Sequence, residues 1–259
     1  MRVPVVQHRS RRRRALGRRA LWTGGEFLVT AGVVLLLLVA HELWWTNREA
    51  RQGAEHQVQA LERQWATPGA GSGGTPSANT GLAGGSSPRR STSADGSTTV
   101  TGSATTPHRS QAYAILTIPR LHLRVPIAEG VSKQNVLNKG YVGHYPGTQQ
   151  PGQAGNFALA GHRNTHGEPF RYLPRLRLKD TVQVETSAAT YTYTVDKILP
   201  QTSATDSGVI RPVPRSIVRP AYGFSRPGYY VTLTTCTPEF TSRYRMVVWG
   251  TLTSTRPRT

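Results

Sequence analysis

The sequence predicts an all-β domain of roughly 140 residues, a barrel or a sandwich, carried behind one membrane-spanning helix and a flexible tether. Three observations predict it. From Ala112 onward, short apolar runs recur between Gly and Pro turn signals with little helical periodicity. Ahead of them an uncharged run, FLVTAGVVLLLLVA at 27–40, follows eight arginines. Between the two lies a stretch, 67–111, dominated by Gly, Ser, Thr, Ala and Pro. With 37% hydrophobic residues in a chain of 259, one modest core is the expectation.

The N-terminal elements divide by charge and hydropathy. Residues 1–26 form a basic tail, and positive charge is retained on the cytoplasmic side of a membrane span, so the tail is expected inside and everything after the span outside. The apolar run alone is short for a bilayer, but Leu43, Trp44 and Trp45 extend it to a span of 27–45 with an aromatic belt at its outer end. A cleaved signal peptide is the competing expectation; the long basic flank and the lack of a small-x-small site after LLLLVA favour an uncleaved anchor. Residues 46–66 have helix-forming composition without a strong apolar stripe, and 67–111 hold too little large apolar surface to offset the entropy of folding. The expectation for 46–111 is therefore a stalk followed by a disordered linker.

The strand runs come next. AYAILTIPRLHLRVPI alternates, with Leu121, Leu123, Val125 and Ile127 on one side and His122 and Arg124 on the other. GNFALAGH, DTVQVET, TYTYTVDKIL, YYVTLTTC and RMVVWGTL follow. The domain is expected over 112–254, with 255–259 as a tail. One connection, 200–228, holds five prolines and is long enough to be a functional wall or lid.

Charge narrows the function classes. Lys and Arg outnumber Asp and Glu by 32 to 13, a formal charge of +19, which favours an acidic partner such as anionic lipid or cell-wall polymer. Nucleic acid is disfavoured, because the expected topology puts the domain outside the cell and its aromatics form no base-stacking pattern.

The single cysteine, Cys236, ends the run YYVTLTTC, where a period of two puts it on one face with Tyr230, Thr232 and Thr234. One thiol cannot close an intramolecular disulfide, so it is either a buried hydrophobe or a reactive group. TPEFTSR after it is short enough for a hairpin, bringing an arginine of the next strand beside the thiol, where a guanidinium offers counter-charge and a donor fork. Spacing alone leaves Arg243 and Arg245 as equals. A thiol nucleophile also needs an imidazole partner. Of eight histidines, His144, His162 and His166 fall in the domain away from its first strands, and His162 directly follows the apolar run NFALAG, at the mouth of a buried strand. A zinc site of these histidines with Cys236 is the weaker reading, since Cys236 lies far from them in sequence and no CxxC pair exists.

Taken together, GHYPGTQQPGQAGNFALAGHR and GFSRPGYYVTLTTCTPEFTSRYRMVVWG resemble the sortases, the membrane-anchored cysteine transpeptidases of Gram-positive bacteria, and are similar to the class E group of actinobacteria. The resemblance covers 112–254. It implies an eight-stranded β-barrel with the 200–228 connection walling the substrate groove. The TLxTC motif falls on 232–236 and makes Cys236 the nucleophile, the histidine closing ALAGH is His162, and the arginine of the following strand matches Arg245. Thr234 and Thr235 are the expected neighbours of the nucleophile, and His144 lies in a segment that lines such a site; all three are the expected substrate-binding residues, although threonines are also ordinary strand formers. The implied partners are surface proteins with a C-terminal LAxTG-like sorting signal and an amine of a peptidoglycan precursor, with no metal or cofactor. The family lacks an acidic third partner for the histidine, and no residue here is singled out for that place. Two other classes compete: a non-catalytic, membrane-tethered binder of anionic wall polymer, and an L,D-transpeptidase, which carries His and Gly before its cysteine where this chain has Thr234 and Thr235.

Overall fold

The structure is a computed structural model that describes residues 9–66 and 107–258. The expected disordered linker lies almost wholly outside the described residues. Eight strands close into one barrel: β1 (Ala112–Ile118), β2 (Leu123–Glu129), β3 (Val142–His144), β4 (Gly155–Ala160), β5 (Thr181–Glu185), β6 (Ala189–Ser203), β7 (Tyr229–Thr237) and β8 (Tyr244–Pro257). Around the barrel the order is β1-β2-β3-β4-β7-β8-β6-β5. The β2–β3 and β4–β7 pairs are parallel and the others antiparallel, as the register of each pair shows. Closure leaves no long sheet edge and encloses a core of Leu116, Ile127, Phe157, Leu159, Tyr193, Val231, Leu233 and Val248, among others.

Period-two alternation decides which face of β7 meets that core. Val231 and Leu233 point inward, so Thr232, Thr234 and Cys236 stand on the outer face. On β8, Met246 and Val248 point inward and Arg245, Val247 and Trp249 share the outer face with Cys236. That outer face is nevertheless buried: the β6–β7 connection folds over it, and the Val209 carbonyl accepts from Thr232 Oγ1 at 3.3 Å and from Trp249 Nε1 at 3.1 Å. Asp206 holds the connection in shape, accepting from Thr202 Oγ1 at 2.6 Å, from the Ile217 amide at 3.0 Å and from Ser216 Oγ.

Several expectations are corrected. β6 continues through Pro200 to Ser203, with a register shift between Leu199 and Thr202 that accommodates the proline, so the connection starts later than 200. β8 likewise runs into the expected tail, where Pro257 pairs with Ala189. Leu121 closes a 3-10 turn and His122 takes a left-handed φ of 49°, so neither lies in a strand. The three-residue β3 lies outside every strand run picked from the sequence.

The stalk expectation changes most. Residues 9–66 form one helix, α1 (Arg9–Ala66), which from Gly25 carries a window long and apolar enough to cross a membrane by length and composition. Its C-terminal half packs on the barrel through Ala50, Ala54, Val58 and Leu61, all buried. Spaced by four, four and three residues, they form the stripe that composition concealed: two alanines add little hydropathy but allow close approach. At Gly140 (φ 78°) an added Cβ would stand 2.7 Å from the Ala50 carbonyl oxygen, so only glycine permits that contact.

Candidate active site

β4 and β7 run parallel side by side, Ala160 opposite Thr234, so the residues just past their ends emerge at the same rim of the barrel. This places His162 beside Cys236. On the other side β8 pairs antiparallel with β7 and sets Arg245 directly opposite Cys236. Cys236, His162 and Arg245 line one cleft of about 570 Å³, together with Thr46 and Asn47 of α1, Lys133, the 163–166 segment and Phe240. Arg243 is exposed, with its guanidinium 5.2 Å from the Tyr244 ring centre, and is not part of the cleft.

Each of the three side chains is held locally. Cys236 is partly exposed, and the Arg163 guanidinium donates to its carbonyl oxygen at 3.3 Å and to Thr237 Oγ1 at 3.0 Å. Arg245 donates through Nη1 to the Ser242 and Tyr244 carbonyls at 2.8 and 3.0 Å, which fixes its fork against the β7–β8 connection. His162 Nε2 donates to Asn138 Oδ1 at 2.9 Å, so Nδ1 is the proton-exchanging nitrogen of the neutral ring. Asn138 belongs to a 3-10 turn (Leu137–Lys139) and was not picked out from the sequence, where VLNKG reads as a polar loop. His166 stacks on His162 with ring centres 5.5 Å apart.

Burial pushes the His162 pKa down to about 4, and the positive charges available to His166 and Lys133 push in the same direction. The unfolded chain then binds a proton between pH 6.5 and 4 that the folded chain does not, so stability should fall as pH drops through this window. Titration of the His162 ring by NMR should give a midpoint near 4, and His166→Ala should raise it only partly, because burial is the larger cause. A midpoint at 6.5 in the native chain would contradict the buried, neutral ring.

The three expected substrate-binding residues stand elsewhere. Thr234 and Thr235 are buried, their hydroxyls donating to the Leu159 and Gly161 carbonyls at 3.1 and 2.9 Å, and Tyr145 Oη lies 3.1 Å from Thr234 Oγ1. They tie β7 to the end of β4, beneath the cleft rather than in its wall. His144 is 1% exposed: Nδ1 meets Glu129 Oε2 at 2.6 Å, Nε2 meets Thr148 Oγ1 at 2.8 Å and the Gln149 carbonyl at 3.1 Å, and Phe157 packs on the ring. It lines no part of the cleft.

The wall itself is polar. Arg163 Nε, Asn164 Oδ1 and His166 Nδ1 are buried there without a hydrogen-bond partner among the described residues. Among those residues no cluster of three or more His, Cys, Asp or Glu is gathered as a metal site. A thiol, an imidazole and a guanidinium fork at the rim of a closed barrel, in a wall with unmatched polar atoms, suit attack on a peptide carbonyl.

Comparison with known proteins agrees with this arrangement. The Sortase domain model matches residues 116–253. Sortase SrtE1 of Streptomyces coelicolor is 43% identical over 90% of this chain, which spans 57% of that relative's length. Sortase SrtE2 of the same organism is 31% identical over 89% of this chain and 81% of its own. The crystal structure of Sortase E1 from Streptomyces coelicolor with a tripeptide in the active site superposes with a TM-score of 0.55 at 51% identity, covering 59% of this chain and 94% of the other. On these matches and on its closed eight-stranded barrel, the chain belongs to the sortase family, within the class E group.

Proposed function

We propose that the chain is a membrane-anchored cysteine transpeptidase that cleaves a C-terminal LAxTG-like signal between Thr and Gly and joins the protein to an amine of a peptidoglycan precursor. The observation that carries this reading is the convergence of Cys236, His162 and Arg245 on one cleft. The Cys236 thiolate attacks the Thr carbonyl carbon, forming a C–S bond. His162, protonated as the thiol gives up its proton, passes that proton to the Gly nitrogen as the C–N bond breaks. The acceptor amine then attacks the thioester and gives its proton to His162 as the C–S bond breaks, and His162 returns that proton to the Cys236 sulfur, restoring the thiol and the neutral ring. Nη1 of Arg245 is engaged by the connection, which leaves Nε and Nη2 to hold the substrate backbone or the developing oxyanion. Thr234 and Thr235 act as positioning residues that fix the β7 end against β4.

With the basic tail inside the cell, 1–26 is cytoplasmic, 27–45 spans, 46–111 is stalk and linker, and 112–254 is the extracytoplasmic catalytic domain, ahead of 255–259. The test incubates the full chain in detergent with LAxTG and LPxTG peptides and an amine acceptor, following Thr–Gly cleavage and the intact mass of the enzyme. Cleavage of the first peptide with a thioacyl adduct on Cys236 is expected. A folded chain that cleaves neither and forms no adduct would overturn the transpeptidase reading in favour of a wall-polymer binder, whose salt-sensitive affinity would survive Cys236→Ala.

A further inference from the structure

We propose that the β7–β8 connection, with Phe240 at its tip, seats in the headgroup layer of the bilayer that α1 crosses, so that the catalytic cleft opens at the membrane surface. The inference rests on the membrane-anchored transpeptidase reading above and adds where the site works.

The argument starts from α1. The helix continues without interruption from the apolar span into the segment that docks on the barrel. Trp44 and Trp45 end the span, and the next two residues, Thr46 and Asn47, already line the cleft with Cys236, His162 and Arg245. Two residues of helix rise about 3 Å. The headgroup layer on each side of a bilayer is about 5–7 Å deep, so this wall of the cleft falls within it.

The barrel cannot swing away from that level without breaking a built interface. Asn47 Oδ1 accepts from the Gly167 amide at 3.1 Å, and its Nδ2 donates to Glu168 Oε1 at 3.1 Å. Arg51 donates to the Gly167 carbonyl at 3.1 Å and to Glu168 Oε2 at 3.0 Å. His166, Gly167 and Glu168 all have φ between 52° and 83°, a run that needs support from outside itself, and α1 supplies it. Further along, Arg124 pairs with Glu62 at 2.7 Å, and the Arg258 guanidinium lies 4.8 Å from the Trp65 ring centre.

The surface at that level suits a bilayer. Phe240 lines the cleft, is 76% exposed and has a left-handed φ of 62°, so the connection presents a large apolar ring to its surroundings. Lys133 and Arg163 line the same cleft, Lys139 lines an adjoining cavity with Thr46, and Arg48 lies over Trp44. Glu42, Glu49 and Glu239 carry the opposite sign nearby, so anionic headgroups meet a modest basic excess.

The test uses the full chain with Cys236→Ala in phosphatidylglycerol–phosphatidylcholine vesicles, carrying a nitroxide on a single cysteine at Phe240→Cys, or at Thr241→Cys as a second probe. Ser187→Cys is the reference: it adjoins the strand end beside Trp65, about 30 Å of helix beyond Trp45. Labels at 240 and 241 should collide several-fold more with oxygen, relative to a water-soluble nickel complex, than the label at 187. Equal ratios at the three positions would overturn the inference, as would labels at 240 and 241 shielded from both reagents. A chain that fails to float with the vesicles would overturn it together with the membrane anchor. The Cys236→Ala background performs no chemistry, so failure here is distinct from failure of the peptide assay.

Discussion

Cys236→Ala should abolish both the thioacyl adduct and Thr–Gly cleavage while leaving the thermal transition nearly unchanged, because the thiol is partly exposed and its backbone pairing with Arg245 survives. His162→Ala should lower kcat/KM by about 10² to 10⁴, the usual range for a positioned proton donor. The resting state explains why the histidine matters so much. With a pKa near 4, only about one ring in a thousand is protonated at pH 7, so the imidazolium that protonates the leaving amine has to come from the Cys236 thiol. Replacing the ring removes both the acceptor of that proton and its carrier to the amine. Arg245→Ala should cost about 10² to 10³, as removal of an oxyanion donor does, and Arg245→Lys should recover little, since a point charge lacks the fork that the Ser242 and Tyr244 carbonyls hold in place. Arg243→Ala is the control and should stay within about twofold of the native chain, because its guanidinium is exposed against Tyr244 outside the cleft. Loss of activity in Arg243→Ala equal to that in Arg245→Ala would sink the assignment.

The chemistry was legible because local signals carried it. The alternation of YYVTLTTC put Cys236 on the face opposite Val231 and Leu233, and TPEFTSR was short enough for a hairpin that brings an arginine beside it, while the choice of Arg245 over Arg243 came from the resemblance and agrees with the register of β7 on β8. What stayed hidden depends on pairings distant in sequence. The parallel β4–β7 pair brings His162 to Cys236 over some seventy positions, and no periodicity encodes that register. Alternation puts Thr232 and Thr234 on the face of Cys236, but nothing local shows that the connection anchored by Asp206 covers that side of the barrel. Asn138 is one amide in a turn until the fold delivers it to His162 Nε2. The docking stripe of α1 escaped because Ala50 and Ala54 bury little surface and mark an interface by smallness.

His144 is the residue whose expected role the geometry changes most, and its replacement gives the second large effect. His144→Ala should destabilise the chain by about 3–5 kcal/mol, because it leaves the Glu129 carboxylate, 9% exposed, without the partner held at 2.6 Å. For a barrel of this size that corresponds to a fall in Tm of roughly 6–20 °C. Thr148 Oγ1 and the Gln149 carbonyl lose their contacts with Nε2 as well, and the void beside Phe157 adds to the cost. Glu129→Gln leaves a neutral amide that is cheaper to bury. The double variant should therefore be less destabilised than the sum of the two singles, which is the signature of a directly coupled pair. A substrate-binding histidine would behave differently, raising KM with Tm unchanged. Thermal melts and peptide kinetics on the same preparations separate the two: at temperatures where the variant is folded, the pairing with Glu129 predicts native KM and a lowered Tm. The pair spans Glu129 at the end of β2 and His144 at the end of β3, a parallel junction only three residues long. So short a ladder has few backbone bonds to hold it, and the side-chain pair supplies the link that keeps the barrel closed between β2 and β4.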